Sequence, residues 1–102
     1  MATLQDITDK IRHAAESGGG VGRSIKLDLK GEGFIHLEGS SVSNEDRPAD
    51  LVVTIAKADL EALGKGELDP MRAVMTGRMR LSDMGLAMQL QPALQSLFAK
   101  AV

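Results

Sequence analysis

Side chains able to do chemistry are few in this chain and stand apart. The two histidines, His13 and His36, have no partner at the His-x-x-x-His spacing that puts two imidazoles on one helical face, and no neighbouring residues complete a ligand set. His36 falls on the polar side of a strand and is expected to be solvated. With no cysteine, thiolate nucleophiles, disulfides and Cys-bound zinc are excluded. No Gly-x-Ser-x-Gly elbow presents a serine to a base. Glu45-Asp46 sits in a polar stretch where solvation is a better reading than proton transfer. The glycine run Gly18–Ser24 resembles a phosphate loop at first sight. Five residues on from Gly18, however, stands Arg23, where a second glycine followed by lysine is needed. The run also follows a helix and precedes a strand, the reverse of the phosphate-loop order, and reads as a connector. With no nucleophile beside a base, no metal set and no cofactor loop, neither an enzyme nor a bound cofactor is expected.

Two residue types are left. Arg72, Arg78 and Arg80 form the one local basic group. Alternation sets Arg78 and Arg80 on the face opposite Met79 and Leu81. A solvated sheet face is the simpler reading, and contact with a ligand head group or an anionic membrane surface the functional one. Methionine says more. Apart from the initiator, the methionines are Met71, Met75, Met79, Met84 and Met88, and the pairs 71/75 and 84/88 have the four-residue spacing of one helical face. Core filling explains them taken alone. Met is also unbranched and adaptable, which suits a surface that must fit several apolar shapes. An aromatic content of 2%, with two Phe and no Trp or Tyr, removes rigid rings from that surface. It also removes the stacking platforms that single-stranded nucleic acid needs.

The elements that must position these residues fit one domain over residues 1–102, since 102 residues have room for one core. A hydrophobic content of 43% is that of a globular chain, and a net charge of −2, nearly even between the halves, gives no pull toward nucleic acid. No leader pattern and no run of apolar residues long enough to span a bilayer is visible, so a cytoplasmic setting is expected. Leu4, Ile7, Ile11 and Ala14 make one stripe of a helix over residues 3–16, with Thr3 and Asp6 as its capping pair. Ile25, Leu27 and Leu29 alternate with charges in a strand; Gly31-Glu32-Gly33 turns the chain, and residues 34–38 return antiparallel. A weakly signalled edge strand lies around Val42, and Leu51–Ile55 is the strongest strand by composition. A short helix over 58–63 stops at Gly64 and Gly66. Asp69-Pro70 starts a helix that breaks at Gly77, residues 78–81 alternate as a strand, and Ser82-Asp83 can cap a closing helix from Met84 to about Lys100 with a break or re-start at Pro92.

The segments Gly66-Glu67-Leu68-Asp69-Pro70, Ala73-Val74, Gly77-Arg78-Met79-Arg80 and Asp83-Met84-Gly85-Leu86-Ala87 together resemble the sterol carrier protein type 2 lipid-binding domain. Asp50–Ile55 is similar to the strand leading into that pattern. The likeness is close over residues 48–91 and topological before them. It implies an α/β (α+β) fold, a mostly antiparallel five-stranded sheet covered by helices and enclosing an apolar tunnel. It implies binding and transfer, without catalysis, of fatty acid, fatty acyl-CoA, sterol or phospholipid by a monomer in transient contact with membranes. The expected lipid-lining residues are Met71, Val74, Met75, Met79, Met84, Met88, Leu94 and Phe98. Ser82 stands where the family has Gly, and Val74 is smaller than the aromatic often found there.

An empty pocket of about 300 Å³ would cost about 7 kcal/mol at about 24 cal/mol per Å³, comparable with the whole stability of a small domain. The free protein is therefore expected to be partly collapsed, loosely packed or occupied. Two other readings compete. A small scaffold or accessory domain would dock residues 93–102 on a partner enzyme of lipid metabolism and need no ligand of its own. An enzyme using a carboxylate or His36 on a lipid-like substrate lacks every accompanying group.

Overall fold

The computed structural model describes residues 3–16 and 23–100, so the glycine connector from Gly18 to Gly22 lies outside the described residues. Thr3 opens α1 (Leu4–Ala14): its Oγ1 accepts the Asp6 N–H at 3.1 Å, and the Asp6 carboxylate accepts the Thr3 N–H at 3.0 Å. This reciprocal pair satisfies donors that a helix start leaves without partners. Ile7 and Ile11, the heart of the apolar stripe, are buried.

Five strands follow as expected, β1 (Ile25–Asp28), β2 (Phe34–Glu38), β3 (Ser41–Ser43), β4 (Leu51–Ile55) and β5 (Met79–Leu81), in the order β3-β2-β1-β4-β5. The expectation of a mostly antiparallel sheet is corrected at its centre. β1 and β4 run parallel, with Ile25 opposite Leu51 and Leu27 opposite Val53, so the sheet is mixed. Parallel neighbours need a crossover, and residues 44–50 supply it, carrying the chain from β3 past β2 and β1 to β4. Ser24 and Asp50 pin the start of the parallel pair. The Ser24 N–H donates to Asp50 Oδ2 at 3.1 Å, and the Asp50 N–H donates to Ser24 Oγ at 2.8 Å.

That crossover also corrects the reading of His36. The residue does lie on the face away from the apolar rows, but the segment covers it and leaves it 2% exposed. His36 Nε2 is 3.0 Å from the Pro48 carbonyl oxygen, and Lys26 on the neighbouring strand pairs with Asp46. A buried imidazole with a hydrogen bond is a structural member of this covering.

The second half is helical around one strand: α2 (Lys57–Gly64), α3 (Pro70–Met75), β5, α4 (Met84–Gln89) and α5 (Gln91–Lys100). Asp69 accepts the Arg72 N–H and Asp83 the Leu86 N–H, each at 3.0 Å, so both predicted caps form. The closing helix is interrupted at Leu90 (φ −95°, ψ 7°) and restarts with Pro92 in the first turn of α5, where its missing N–H costs nothing. Ser82 continues the sheet beyond β5: its N–H donates to the Val52 carbonyl at 3.0 Å, and its Oγ accepts the Val52 N–H at 2.9 Å.

Apolar side chains form rows across the inner face. Ile35, Leu27, Val53 and Leu81 face one another across four strands, and Ile55 faces Met79 across the last two. Ile7 and Ile11 of α1, Leu60 of α2 and Leu97 and Phe98 of α5 pack against these rows in one core.

Candidate functional site

The core does not fill to the edge of the sheet. Between β5, α3, α4 and α5 lies a groove of about 80 Å³, open to solvent along one side. Its floor is built by the regular elements. Met79 and Leu81 point inward from β5, because alternation turns Arg80 to the opposite face, and Leu94 and Phe98 come from one face of α5. Met79, Leu94 and Phe98 are buried. The rim comes from the two short helices. Met71 and Val74 approach from α3, and Met84, Ala87 and Met88 from α4. Rim methionines remain open to solvent: Met71 is 64% exposed, Met84 48% and Met88 70%.

One turn makes this arrangement possible. α3 closes at Gly77, which takes φ +77°; Gly77 N donates to the Val74 carbonyl and Arg78 N to the Ala73 carbonyl at 2.9 Å. This left-handed cap reverses the chain within two residues, so the helix bearing Met71 and Val74 leads straight into the strand bearing Met79. The glycine in the Gly77-Arg78-Met79-Arg80 segment therefore has a geometric purpose.

Of the eight residues expected to line a lipid site, the structure brings seven together: Met71, Val74, Met79, Met84, Met88, Leu94 and Phe98. Met75 stands outside the groove, 83% exposed at the end of α3. The four-residue pairing with Met71 put both on one helical face, but Met75 is the last residue of α3, and the groove takes Met71 and Val74 from that helix. Pro70, Leu81, Ala87, Gln91 and Gln95 complete the lining and were not singled out from sequence. Gln91 and Gln95 share the face of α5 that carries Leu94 and Phe98, and their i, i+4 spacing was a legible signal. A second hollow of about 360 Å³, lined also by Leu63, Gly66, Leu68 and Asp69, adjoins the first and shares Pro70, Gln95 and Phe98 with it.

Chemically the groove offers contact and little else. None of its twelve lining residues is acidic, basic or nucleophilic; the two glutamines can hydrogen-bond a polar group but cannot relay protons. Among the described residues no group of three or more His, Cys, Asp or Glu could hold a metal ion. The two carboxylates with displaced pKa values stand elsewhere. The Thr3 N–H holds Asp6 below the usual carboxylate range, and the Ser24 N–H, aided by the Arg23 guanidinium, does the same for Asp50. Both shifts belong to hydrogen bonds that order the backbone. No helix is long and apolar enough to cross a membrane among the described residues.

Rabbit (Oryctolagus cuniculus) sterol carrier protein 2 is 44% identical over 55 residues, which is 53% of this chain and 10% of that protein. The chain thus spans about a tenth of the length of the curated relatives it matches. Among solved structures, palmitated SCP2L2 from Aedes aegypti superposes with a TM-score of 0.66 at 20% identity, covering 95% of each chain. The ubiquinone synthesis protein UbiJ-SCP2 gives 0.63 at 17% identity, over 99% of this chain and 95% of that one. These likenesses show a shared α/β fold with a five-stranded sheet. The model of the SCP-2 sterol transfer family matches residues 4–95, nearly the whole chain, and the protein belongs to that family.

Proposed function

We propose that this chain binds the acyl chain of a lipid, without chemical conversion, in the groove between β5 and the closing helices. The observation that carries this reading is the groove's composition: ten of its twelve lining residues are apolar, and four are methionines. Fatty acid and fatty acyl-CoA are favoured over sterol, because a flexible chain can thread a narrow space and nothing in the walls matches a rigid ring system. That the mosquito protein of the same fold is a palmitated one supports the choice.

The size of the groove sets how binding works. Its 80 Å³ compares with about 10–15 Å³ for one water-sized probe, room for a few methylenes and far short of a long acyl chain. The groove alone costs at most about 2 kcal/mol at about 24 cal/mol per Å³, and the adjoining hollow of about 360 Å³ gives a chain that passes it room to continue. An incoming chain must swing the rim methionines outward and turn the groove into the enclosed tunnel that the family resemblance implies. Burying about fourteen carbons yields about 11 kcal/mol gross; association costs of about 4–15 kcal/mol leave micromolar affinity or weaker.

Gentle purification followed by organic extraction and mass spectrometry tests the reading. Recovery of fatty acyl species in near-stoichiometric amount supports it. A lipid-free protein that also fails to bind a fluorescent fatty acid contradicts it. The scaffold reading needs an exposed flank at residues 93–102, whose Leu94, Leu97 and Phe98 are buried; a partner enzyme that co-purifies in fixed ratio with lipid-free protein would favour it.

A further inference from the structure

We propose that Met71, Met84 and Met88 form an oxidation-sensitive rim, at which conversion of thioether to sulfoxide by a peroxide makes the groove release its lipid. The inference deepens the acyl-binding reading and rests on it, since it names how that same site is regulated. Methionine supplies all the sulfur of the chain, because there is no cysteine. A peroxide therefore meets no thiolate first. Among the described residues every large hydrophobic side chain that stands exposed is a methionine: Met71, Met75, Met84 and Met88. Three of these four line the groove, and Met79 at its floor is buried. The site thus sorts its thioethers, with the accessible ones at the mouth and the protected one at the base.

The step needs only the oxidant. A sulfur lone pair attacks one peroxide oxygen, so that an S–O bond forms as the O–O bond breaks. The departing hydroxide takes the proton from the oxygen now on sulfur and leaves as water. Sulfur loses two electrons and the peroxide gains them. What changes is the wall of the groove. A flexible apolar side chain becomes a polar one whose oxygen is a strong hydrogen-bond acceptor. In the empty groove that oxygen stays in water, as the rim side chains already do. A bound acyl chain strips the water away, and the lining gives little in exchange. Of its twelve residues only Gln91 and Gln95 carry a side-chain N–H. Oxidation therefore acts on the filled state. It spares the fold, because β1, β2 and β4 contain no methionine.

Met75 separates oxidation as such from oxidation of the rim, being the most exposed of the four and outside the groove. The full chain is treated with hydrogen peroxide for increasing times and quenched with catalase. Peptide mass spectrometry then maps sulfoxide at each methionine, and the same samples are titrated with a fluorescent fatty acid beside circular dichroism. Following exposure, sulfoxide is expected first at Met75, then at Met88, Met71 and Met84, and last at Met79. Affinity should hold while Met75 alone is converted and fall about tenfold or more as the rim follows, with circular dichroism unchanged. Methionine sulfoxide reductases, one for each sulfoxide epimer, should restore it. Met75→Leu should bind as wild type does and keep the whole fall. Rim methionines that resist peroxide while Met75 converts, or an oxidised rim with wild-type affinity, overturn the proposal. So does a fall that follows sulfoxide at Met75 or Met79, or one that accompanies loss of helix signal. A protein that binds no fatty acid before oxidation overturns the acyl-groove reading and this proposal together, whereas equal binding before and after overturns this proposal alone.

Discussion

Over β2, β1 and β4 the inner face of the sheet is made of Ile, Leu and Val, and the side chains that meet there are almost wholly shut from water. One strand further, at β5, the same rows end in Leu81 and Met79, and the helices above them carry methionine. Stiff, branched side chains lock one packing arrangement, so the centre behaves as a solid. Methionine has three rotatable bonds and tolerates several arrangements, so the edge can close when empty and open when filled. The difference teaches what a binding site of this kind needs in its walls. It needs a boundary in the core where rigid side chains give way to adaptable ones.

Substitutions on the two sides of that boundary should differ most in stability. Ile25→Ala, at a position with 0% exposure between two strands, is expected to cost about 2–5 kcal/mol, read by urea denaturation. Met88→Ala should cost well under 1 kcal/mol, because the side chain is mostly in water. Equal losses would erase the distinction. Next in size is the turn that joins rim to floor. Gly77→Ala places a Cβ at φ +77°, where nothing clashes but the backbone is strained, and should cost about 1–2 kcal/mol. It should also weaken acyl binding, which a purely local turn would not do.

Binding itself sharpens the contrast. Met88→Asp, at the rim, should abolish acyl-chain binding while leaving a folded domain at low temperature, measured by fluorescent fatty-acid titration beside circular dichroism. Unaltered affinity would remove Met88 from the site. Saturating ligand at about 100 times Kd adds about 2.7 kcal/mol, which for a domain of this size raises the melting temperature by about 10–20 °C. The smallest effect lies far from the groove. Asp6 has its pKa lowered in the folded state, so its contribution is present above the ordinary value of 3.8 and lost as pH falls through the lowered one. Amide exchange at the start of α1 should therefore quicken in acid, and Asp6→Asn should remove that dependence.

Local chemistry was legible in the sequence and long-range geometry was not. Thr3, Asp69 and Asp83 each carry a capping side chain at a helix start, which is why α1, α3 and α4 begin where expected. Alternation marked β1 and β5, the glycine turn marked β2 and composition marked β4; alternation also turned Met79 and Arg80 to opposite faces, as found. Alternation is blind to which strands become neighbours, so the parallel β1–β4 pair was not foreseen. Nor does polarity reveal that residues 44–50 cross the outer face, and this is why His36 reads as solvated and is buried. In the site, the four-residue spacing of Met84 and Met88 found the groove-facing side of α4. Met75 fell outside because helical spacing says nothing of where a short helix stops.

Selective ¹³C labelling of methionine and isoleucine methyl groups, followed by titration with palmitate, addresses the boundary itself. The ε-methyl signals of Met71, Met79, Met84 and Met88 should shift and saturate together at micromolar or weaker affinity, while those of Ile7, Ile25 and Ile35 stay in place. Methionine signals that do not move, or isoleucine signals that move as far, would contradict an adaptable groove beside a rigid core.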